Sequence, residues 1–196
     1  MNTIVVKLLV ILVTGAGGLT KNQTAQMQAE VRERLRLEVG VDVQLRALQR
    51  RHDLYPNLKN LPANVQRFYS WKMWLIKKGL MKRGRLTYLV FPPMPHSDGK
   101  LYIGGLSDGI CEFKRFYSFA SGNAELKNQD GKPRFQHSCL IMAHELLHQL
   151  GAIHIDSSPN VMHLNALSFM PSEGSWWALP ILEETKARVR VCLQKT

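Results

Sequence analysis

The first 50 residues show two hydrophobic periods in succession, which predict a strand, a helix and a second strand. Residues 2–13 form an almost continuous apolar run, as in a buried strand. Apolar residues then recur every four positions between Thr20, a candidate N-cap, and Gly40, a candidate C-cap. From residue 41 to residue 47 apolar and polar residues alternate, as in a half-buried strand. This order predicts a βαβ unit.

The apolar run at residues 2–13 also fits the core of a secretory signal, and the choice decides where the protein is located. Small residues follow at 15–18, but Lys7 interrupts the run, and the uncharged stretch 8–20 is too short to span a bilayer. Loss of the run would remove a central strand of the predicted sheet. We therefore expect a retained strand, no transmembrane segment, and an intracellular or virion-associated location rather than secretion.

The rest of the chain supplies further predicted helices and strands. An apolar and aromatic segment from Asn60 to about Lys78 predicts a helix. Residues 85–91 predict a strand, residues 101–105 another, and residues 181–193 a C-terminal helix. With 196 residues, of which 45 % are hydrophobic, the chain is long enough for one well-buried core and short for two domains.

One predicted helix, apolar over most of its length, carries ionisable side chains at regular spacing. His144 and His148 are four residues apart, so on a helix they share one face and can bind one zinc ion. Glu145 lies about 100° round the helix from His144, beside the metal, where a general base belongs. Gly151 permits a left-handed turn that ends the helix and returns His154 as a third ligand. Three histidine ligands leave the fourth tetrahedral position open for water, which predicts a catalytic zinc site.

The pattern His-Glu-x-x-His-x-x-Gly-x-x-His at residues 144–154 resembles that of the metzincin clan of zinc endopeptidases. In that clan a tight turn containing methionine follows. Here Met162 comes eight residues after His154, behind the turn-forming pair Pro159-Asn160. The resemblance implies a zinc-dependent endopeptidase with one zinc ion on the three histidines. It also implies that Glu145 is the general base and that Met162 forms a floor beneath the ligands.

The resemblance implies a fold as well. We expect one α+β domain over residues 1–196, with a twisted, mixed and mostly parallel sheet, a long zinc-binding helix, a methionine turn and a C-terminal helix. Residues 1–154 should form its upper part with the sheet and the active-site helix, and residues 155–196 should carry the methionine turn and the last helix. In metzincins an edge strand above the zinc pairs with an extended substrate, and residues 101–105 or 112–119 are the candidates here.

The segment after the methionine turn should contact the substrate. The resemblance implies that residues 164–179 form the wall of the pocket for the substrate residue just beyond the cut bond. Trp176 and Trp177 could line this pocket or pack in the core. His163 directly follows Met162 and could donate a hydrogen bond to the reacting carbonyl, which makes it a possible secondary site residue.

Two positions depart from the individual families of the clan. Ile155 follows the third histidine, where matrixins carry Ser, adamalysins Asp and archaemetzincins Cys. Archaemetzincins bind a second zinc through cysteines at this place and near the methionine, where this chain has Ile155 and Asn160. The spacing from His154 to Met162 is nevertheless similar to that of matrixins and archaemetzincins. We therefore expect one zinc ion and no second, structural one, and the family within the clan stays open.

Three cysteines, Cys111, Cys139 and Cys192, occur without the paired spacing of metal ligands. At least one of them is unpaired in the chain, and a single bridge from Cys192 to Cys111 or to Cys139 stays open.

The other histidines are expected to have no role in the site. His52 and His96 lie in polar, loop-like contexts and should be at the surface. Ser138 is a candidate N-cap for the zinc-binding helix, which places His137 outside that helix.

Positive charge is concentrated in one part of the chain. The 26 Lys and Arg residues outnumber the 15 Asp and Glu residues, which gives a formal net charge of +11, and no acidic residue occurs from Leu54 to Ser97. The basic 59–85 stretch could bind nucleic acid or an acidic partner. It could equally be a solvated helix face whose aromatic residues pack inward.

Two alternative functions follow from these features. One is a zinc-binding, metzincin-fold structural component of a larger assembly. The other is a polyanion-binding module that uses the 59–85 stretch. The intact Glu145 favours the peptidase, because an idle site would have no need for a general base.

Overall fold

A computed structural model of the chain describes residues 3–13, 19–51, 65–91, 105–109, 111–123, 135–170 and 174–195. The strands are β1 (Ile4–Val13), β2 (Val41–Arg51), β3 (Arg85–Phe91), β4 (Gly105–Ser107) and β5 (Ser118–Asn123). The helices are α1 (Lys21–Val39), α2 (Val65–Lys77), α3 (Phe135–Gln149) and α4 (Glu183–Lys195). Two short 3₁₀ turns, Ala166–Phe169 and Trp176–Ala178, lie between α3 and α4.

The predicted βαβ unit is confirmed, with both helix caps in place. The Thr20 hydroxyl accepts a hydrogen bond from the Gln23 backbone N–H at 3.2 Å, and the Gln23 side chain accepts one from the Thr20 N–H at 2.9 Å. At the other end Gly40 has a φ of 78°, so it takes the left-handed conformation that ends α1. The chain then enters β2, which pairs parallel to β1 from Ile4 opposite Val41.

The described strands form one sheet in the order β2-β1-β3-β5-β4. The pairs β1–β2, β1–β3 and β3–β5 are parallel, whereas β4 runs antiparallel to β5. The predicted mixed, mostly parallel sheet is therefore confirmed. Among the described strands β4 lies at one edge of the sheet. The predicted zinc-binding helix α3 packs against this edge, where it contacts β4 and the neighbouring β5.

Helices cover both faces of the sheet, which explains why β1 is apolar along most of its length. The even-numbered residues from Leu8 to Leu12 pack with α1 and α3, and the odd-numbered residues from Leu9 to Val13 pack with α2. A strand that is buried on both faces has no polar side, so its sequence is a continuous apolar run rather than an alternating one. This packing fixes α3 against the sheet.

The start of α3 differs from the sequence prediction. The helix begins at Phe135, so Ser138 is not its N-cap, and both His137 and Ser138 lie buried inside it. Tertiary contacts extend the helix: Phe135 packs against the core, and the Gln136 amide donates to the Glu30 carboxylate at 3.1 Å. Ser138 has the chemistry of an N-cap, but the contacts of the preceding turn outweigh it.

The other element boundaries agree closely with the predictions. Strand β3 spans the predicted residues 85–91, and α2 ends at Lys77. The last helix begins at Glu183, two residues later than predicted. None of the helices in the described ranges is long and apolar enough to cross a membrane. Several predictions fall outside the described residues, namely those for His52, His96, Asn60 and residues 101–104.

Candidate metal centre

A glycine turn brings the third histidine back towards α3. Gly151 has a φ of +91°, and the Ala152 N–H donates to the Leu147 carbonyl at 2.9 Å, which closes the end of the helix. A side chain at this position would be strained, and its Cβ would lie 3.1 Å from the Cβ of Cys192. The turn therefore requires glycine, and it directs the chain to His154.

The three predicted ligands meet at one point. The Nε2 atom of His144 lies 3.1 Å from that of His148 and 3.2 Å from that of His154. The remaining Nε2 pair, between His148 and His154, is 3.2 Å apart. Nitrogens bound tetrahedrally at the usual 2.0–2.1 Å from zinc would be about 3.3 Å apart. The observed spacing therefore fits a zinc ion held by three histidines.

The hydrogen bonds of the outer ring nitrogens leave the inner ones available to bind a metal ion. His144 Nδ1 lies 2.7 Å from the Val161 carbonyl oxygen, and His148 Nδ1 lies 2.9 Å from that of Ala152. A carbonyl oxygen only accepts, so both Nδ1 atoms carry the proton and both Nε2 atoms present lone pairs. Two lone pairs 3.1 Å apart repel each other unless a cation lies between them. The donor set therefore suits a metal ion.

Burial keeps the ligands in the form that binds metal. It lowers the pKa of His144 to about 4, with a smaller contribution from the nearby His148. Burial also lowers the pKa of His148 below its ordinary value. Both imidazoles are therefore neutral near pH 7, which leaves their nitrogen lone pairs available.

Glu145 lies beside the histidines in a confined position between α3 and β4. Its side chain is buried, and this burial raises its pKa to about 8. A Cβ on Gly105 would lie only 2.6 Å from the Glu145 Oε1 atom, so the carboxylate occupies the space that a side chain in β4 would need. Sequence reasoning missed this role of Gly105, although a glycine inside a strand often marks such a close approach.

The methionine turn is held together by the side chain of Asn160. Asn160 is fully buried, and its amide donates to the carbonyls of Ile155 at 2.7 Å and Ser158 at 2.6 Å. Its amide oxygen accepts the N–H of Met162 at 2.7 Å. In addition the Ile155 N–H donates to the Met162 carbonyl at 3.1 Å. The sequence indicated a turn at Asn160 and the absence of a zinc-binding cysteine there. The structure adds that its side chain connects the buried Met162 to the segment after His154.

A cavity of about 710 Å³ adjoins the three histidines and Glu145. It lies between β4, the middle of α3 and the segment from His163 to Ser168. This segment is the first part of the predicted pocket wall at 164–179. The two tryptophans do not line the cavity. Trp176 is buried with the Arg34 guanidinium 4.3 Å from its ring, and the ring of Trp177 lies 5.1 Å from the same guanidinium.

Of the two candidate edge segments, only the first has a described part at an edge. Gly105 begins β4, which pairs on one side only among the described strands. Residues 112–119 lead into β5, which pairs with both β3 and β4 and so is not an edge strand. The cavity and the strand edge therefore lie next to each other.

The cysteine pairing that the sequence left open is Cys111 with Cys192, whose Cα atoms are 5.4 Å apart. Cys139 is free and buried in α3. The disulfide lies against the Gly151 turn and joins α4 to the segment before β5.

The described part of the basic stretch has buried aromatic residues and an exposed basic surface. Phe68 and Trp71 pack inward against the sheet. Lys72 forms an ion pair with Asp108 at 2.9 Å. Four basic side chains are exposed, those of Lys77, Lys78, Lys82 and Arg83. Binding of nucleic acid or of an acidic partner stays a prediction.

Comparisons with known proteins give a relationship at the level of fold. No protein-family model and no curated protein sequence matches the chain. The structure resembles an archaemetzincin from Methanopyrus kandleri, at 13% identity over 96% of each chain with a TM-score of 0.65. It also resembles metalloproteinase-II from Bacteroides fragilis, at 14% identity over 97% of this chain and 53% of that one, with a TM-score of 0.58. The chain shares their metallopeptidase fold. At such identities the comparison supports the fold, and the chemistry is inferred from the site.

Proposed function

We propose that the protein is a zinc-dependent endopeptidase of the metzincin type, with zinc held by His144, His148 and His154 and with Glu145 as general base. The observation that carries the proposal is the meeting of three imidazole nitrogens 3.1–3.2 Å apart beside a buried carboxylate. The adjoining cavity and strand edge provide room for a peptide.

The protein residues and the metal divide the chemistry between them. A zinc ion bound by the three histidines would polarise the peptide carbonyl and lower the pKa of water towards about 7. Glu145 would take the proton from the attacking water and deliver it to the leaving nitrogen. Burial raises the pKa of the Glu145 carboxyl above that of an exposed glutamate, which helps this group to hold the proton between the two transfers.

The strand edge suggests how a peptide would bind. Backbone N–H and C=O groups on the outer side of β4 can pair with an extended peptide. Because Gly105 of β4 lies against the Glu145 side chain, this pairing would place a carbonyl group of the peptide near Glu145. The substrate residue beyond the cut bond would enter the cavity, between Ile141 of α3 and the segment around Leu164 and Ala166. Apolar side chains of this kind favour an apolar substrate residue.

The test is cleavage of casein by the purified protein, with and without a metal chelator. We expect chelator-sensitive cleavage. We also expect Glu145→Gln to keep zinc and fold while losing about 10²–10⁴-fold in kcat. Glu184→Gln is the matched control, because Glu184 is an exposed carboxylate on α4 that pairs with Arg188. Cleavage that survives the chelator, or undiminished activity in Glu145→Gln, would contradict the proposal.

Two predictions accompany this proposal. We infer that residues 1–196 form one domain with a single zinc ion. Metal analysis of the purified protein would test the number of zinc ions. We also retain the intracellular or virion-associated location as a prediction. The Cys111–Cys192 disulfide argues against this location, because disulfides are more typical of oxidising compartments. The direct test is to locate the protein in cells.

A further inference from the structure

His163 lines the same cavity as Glu145 and the three histidines, yet the proposed mechanism gives it no task. Its side chain is mostly buried, with 13% of its surface exposed. Two backbone bonds fix its position in the methionine turn: its N–H donates to the Asn160 carbonyl at 3.2 Å, and its carbonyl accepts the Ala166 N–H at 3.0 Å. The residue is therefore held rigidly at the wall of the cavity.

The hydrogen bonds of the ring determine which nitrogen carries the proton. His163 Nδ1 accepts the backbone N–H of Asn165 at 2.9 Å. An N–H only donates, so the neutral ring carries its proton on Nε2. Asp156 Oδ1 lies 3.7 Å from the same Nδ1 and accepts the N–H of Leu164 at 3.0 Å, which places a carboxylate near the ring.

The surroundings of the ring leave one polar atom for the cavity. Nδ1 is engaged by the turn, and the Phe169 ring packs edge-on against the imidazole with the centroids 4.6 Å apart. Nε2 is the only other polar atom of the side chain. An imidazole that lines the cavity in this arrangement can offer it an N–H donor.

We propose that His163 is a catalytic residue that donates the Nε2 hydrogen bond to the carbonyl oxygen of the peptide bond being cut. This inference rests on the proposed peptidase function. Negative charge grows on that oxygen as the water attacks, and a fixed donor stabilises the charge without moving. No proton is transferred to the substrate from His163, so Glu145 remains the group that exchanges protons.

The first experiment compares His163→Phe with His163→Gln. Phenylalanine keeps an aromatic ring against Phe169 but has no donor, whereas glutamine retains an amide N–H. We expect His163→Phe to lower kcat about 10²–10³-fold, as loss of one such donor does, with KM and zinc content unchanged. His163→Gln should recover part of the loss. Full kcat in His163→Phe would overturn the inference, as would equal losses in both variants accompanied by loss of zinc.

The second experiment does not depend on turnover. A phosphinic peptide resembles the tetrahedral, charged state of the reaction, whereas the parent peptide resembles the ground state. We expect His163→Phe to weaken binding of the phosphinic peptide to the zinc-loaded protein by about 10²–10³-fold and to leave binding of the parent peptide unchanged. Equal weakening of both ligands would indicate a structural role and overturn the inference.

The wild-type protein separates the two proposals. If it cleaves casein in a chelator-sensitive way and His163→Phe does so at the same rate, only the inference about His163 fails. If the wild-type protein cleaves nothing and binds neither peptide, the proposed function fails and the inference fails with it. A ¹⁵N NMR spectrum of the imidazoles adds a direct check, since a proton found on Nδ1 of neutral His163 would contradict the assignment.

Discussion

The two halves of the candidate metal centre are built in different ways. In α3, His144, Glu145 and His148 take their places from regular helical spacing, supported by a backbone that is buried along most of its length. Residues 151–165 have no regular hydrogen-bond ladder, and individual side chains such as that of Asn160 hold them in shape. The helical half is therefore supported by many equivalent bonds, and the turn half by a few irreplaceable ones.

Hydrogen bonds from the outer ring nitrogens of two of the histidines join these halves. His144 on the helix donates to the Val161 carbonyl in the turn at 2.7 Å, and His148 donates to Ala152 just beyond the Gly151 turn at 2.9 Å. A change in the turn should therefore reach the helical ligands through their outer nitrogens.

The largest expected effect is that of Asn160→Ala, which removes three hydrogen bonds from the turn half. The Ile155 carbonyl and the Met162 N–H lose their partner in a buried place, and the Ser158 carbonyl loses its partner in a partly buried one. We therefore expect a loss of about 2–4 kcal/mol in the free energy of unfolding. Because Val161 lies between Asn160 and Met162, the partner of His144 should also shift, and zinc affinity should fall about 10–100-fold. Chemical denaturation and a competitive zinc titration measure the two quantities.

The matched control is Asn165→Ala, which alters an exposed side chain of the same turn and keeps its backbone N–H. We expect wild-type stability and zinc affinity. If Asn160→Ala behaved like this control, the turn half would not depend on its single buried amide, and the contrast between the halves would disappear.

The success of the sequence-based predictions also differs between local features and features that depend on distant contacts. The βαβ unit, the strand at 85–91 and the ligand spacing in α3 depend on hydrophobic periodicity and on helix geometry, which are local properties. The fold class was correct for this reason. The segment at 144–154 also predicted the glycine turn, because a left-handed residue after a helix is a local requirement for glycine.

The features that could not be predicted depend on contacts between distant segments. Ser138 has the chemistry of an N-cap, but packing of Phe135 and the bond from Gln136 to Glu30 extend the helix past it. The sequence left open whether Trp176 lines the pocket wall or packs in the core, and contact with the buried Arg34 places it in the core. The pairing of Cys111 with Cys192 likewise depends on where α4 packs.

A smaller effect is expected from Gly105→Ala, which acts on the helical half from outside. The new Cβ would lie 2.6 Å from Glu145 Oε1, so the carboxylate must move while the zinc ligands keep their places. A displacement of this size can lower kcat about 10²-fold. Peptidase assays and zinc analysis should show lost activity with full zinc content.

Glu184→Gln on α4, away from the cavity, is the control, and we expect it to be as active as the wild-type protein. We expect the histidines of the helical half to keep their places when the Glu145 side chain is displaced. Loss of zinc in Gly105→Ala would contradict this expectation.

The smallest effect should come from Asp156→Ala. This substitution tests whether an exposed hydrogen bond in the turn half contributes less to the free energy of unfolding than a buried one. Asp156 Oδ1 accepts the Leu164 N–H at 3.0 Å, as Asn160 accepts that of Met162, but the Asp156 side chain is 59% exposed. Water can replace the lost acceptor, so we expect a loss below about 1 kcal/mol in chemical denaturation. A loss as large as that of Asn160→Ala would mean that burial does not distinguish the two bonds. The turn half would then depend on its whole network of bonds rather than on one buried amide.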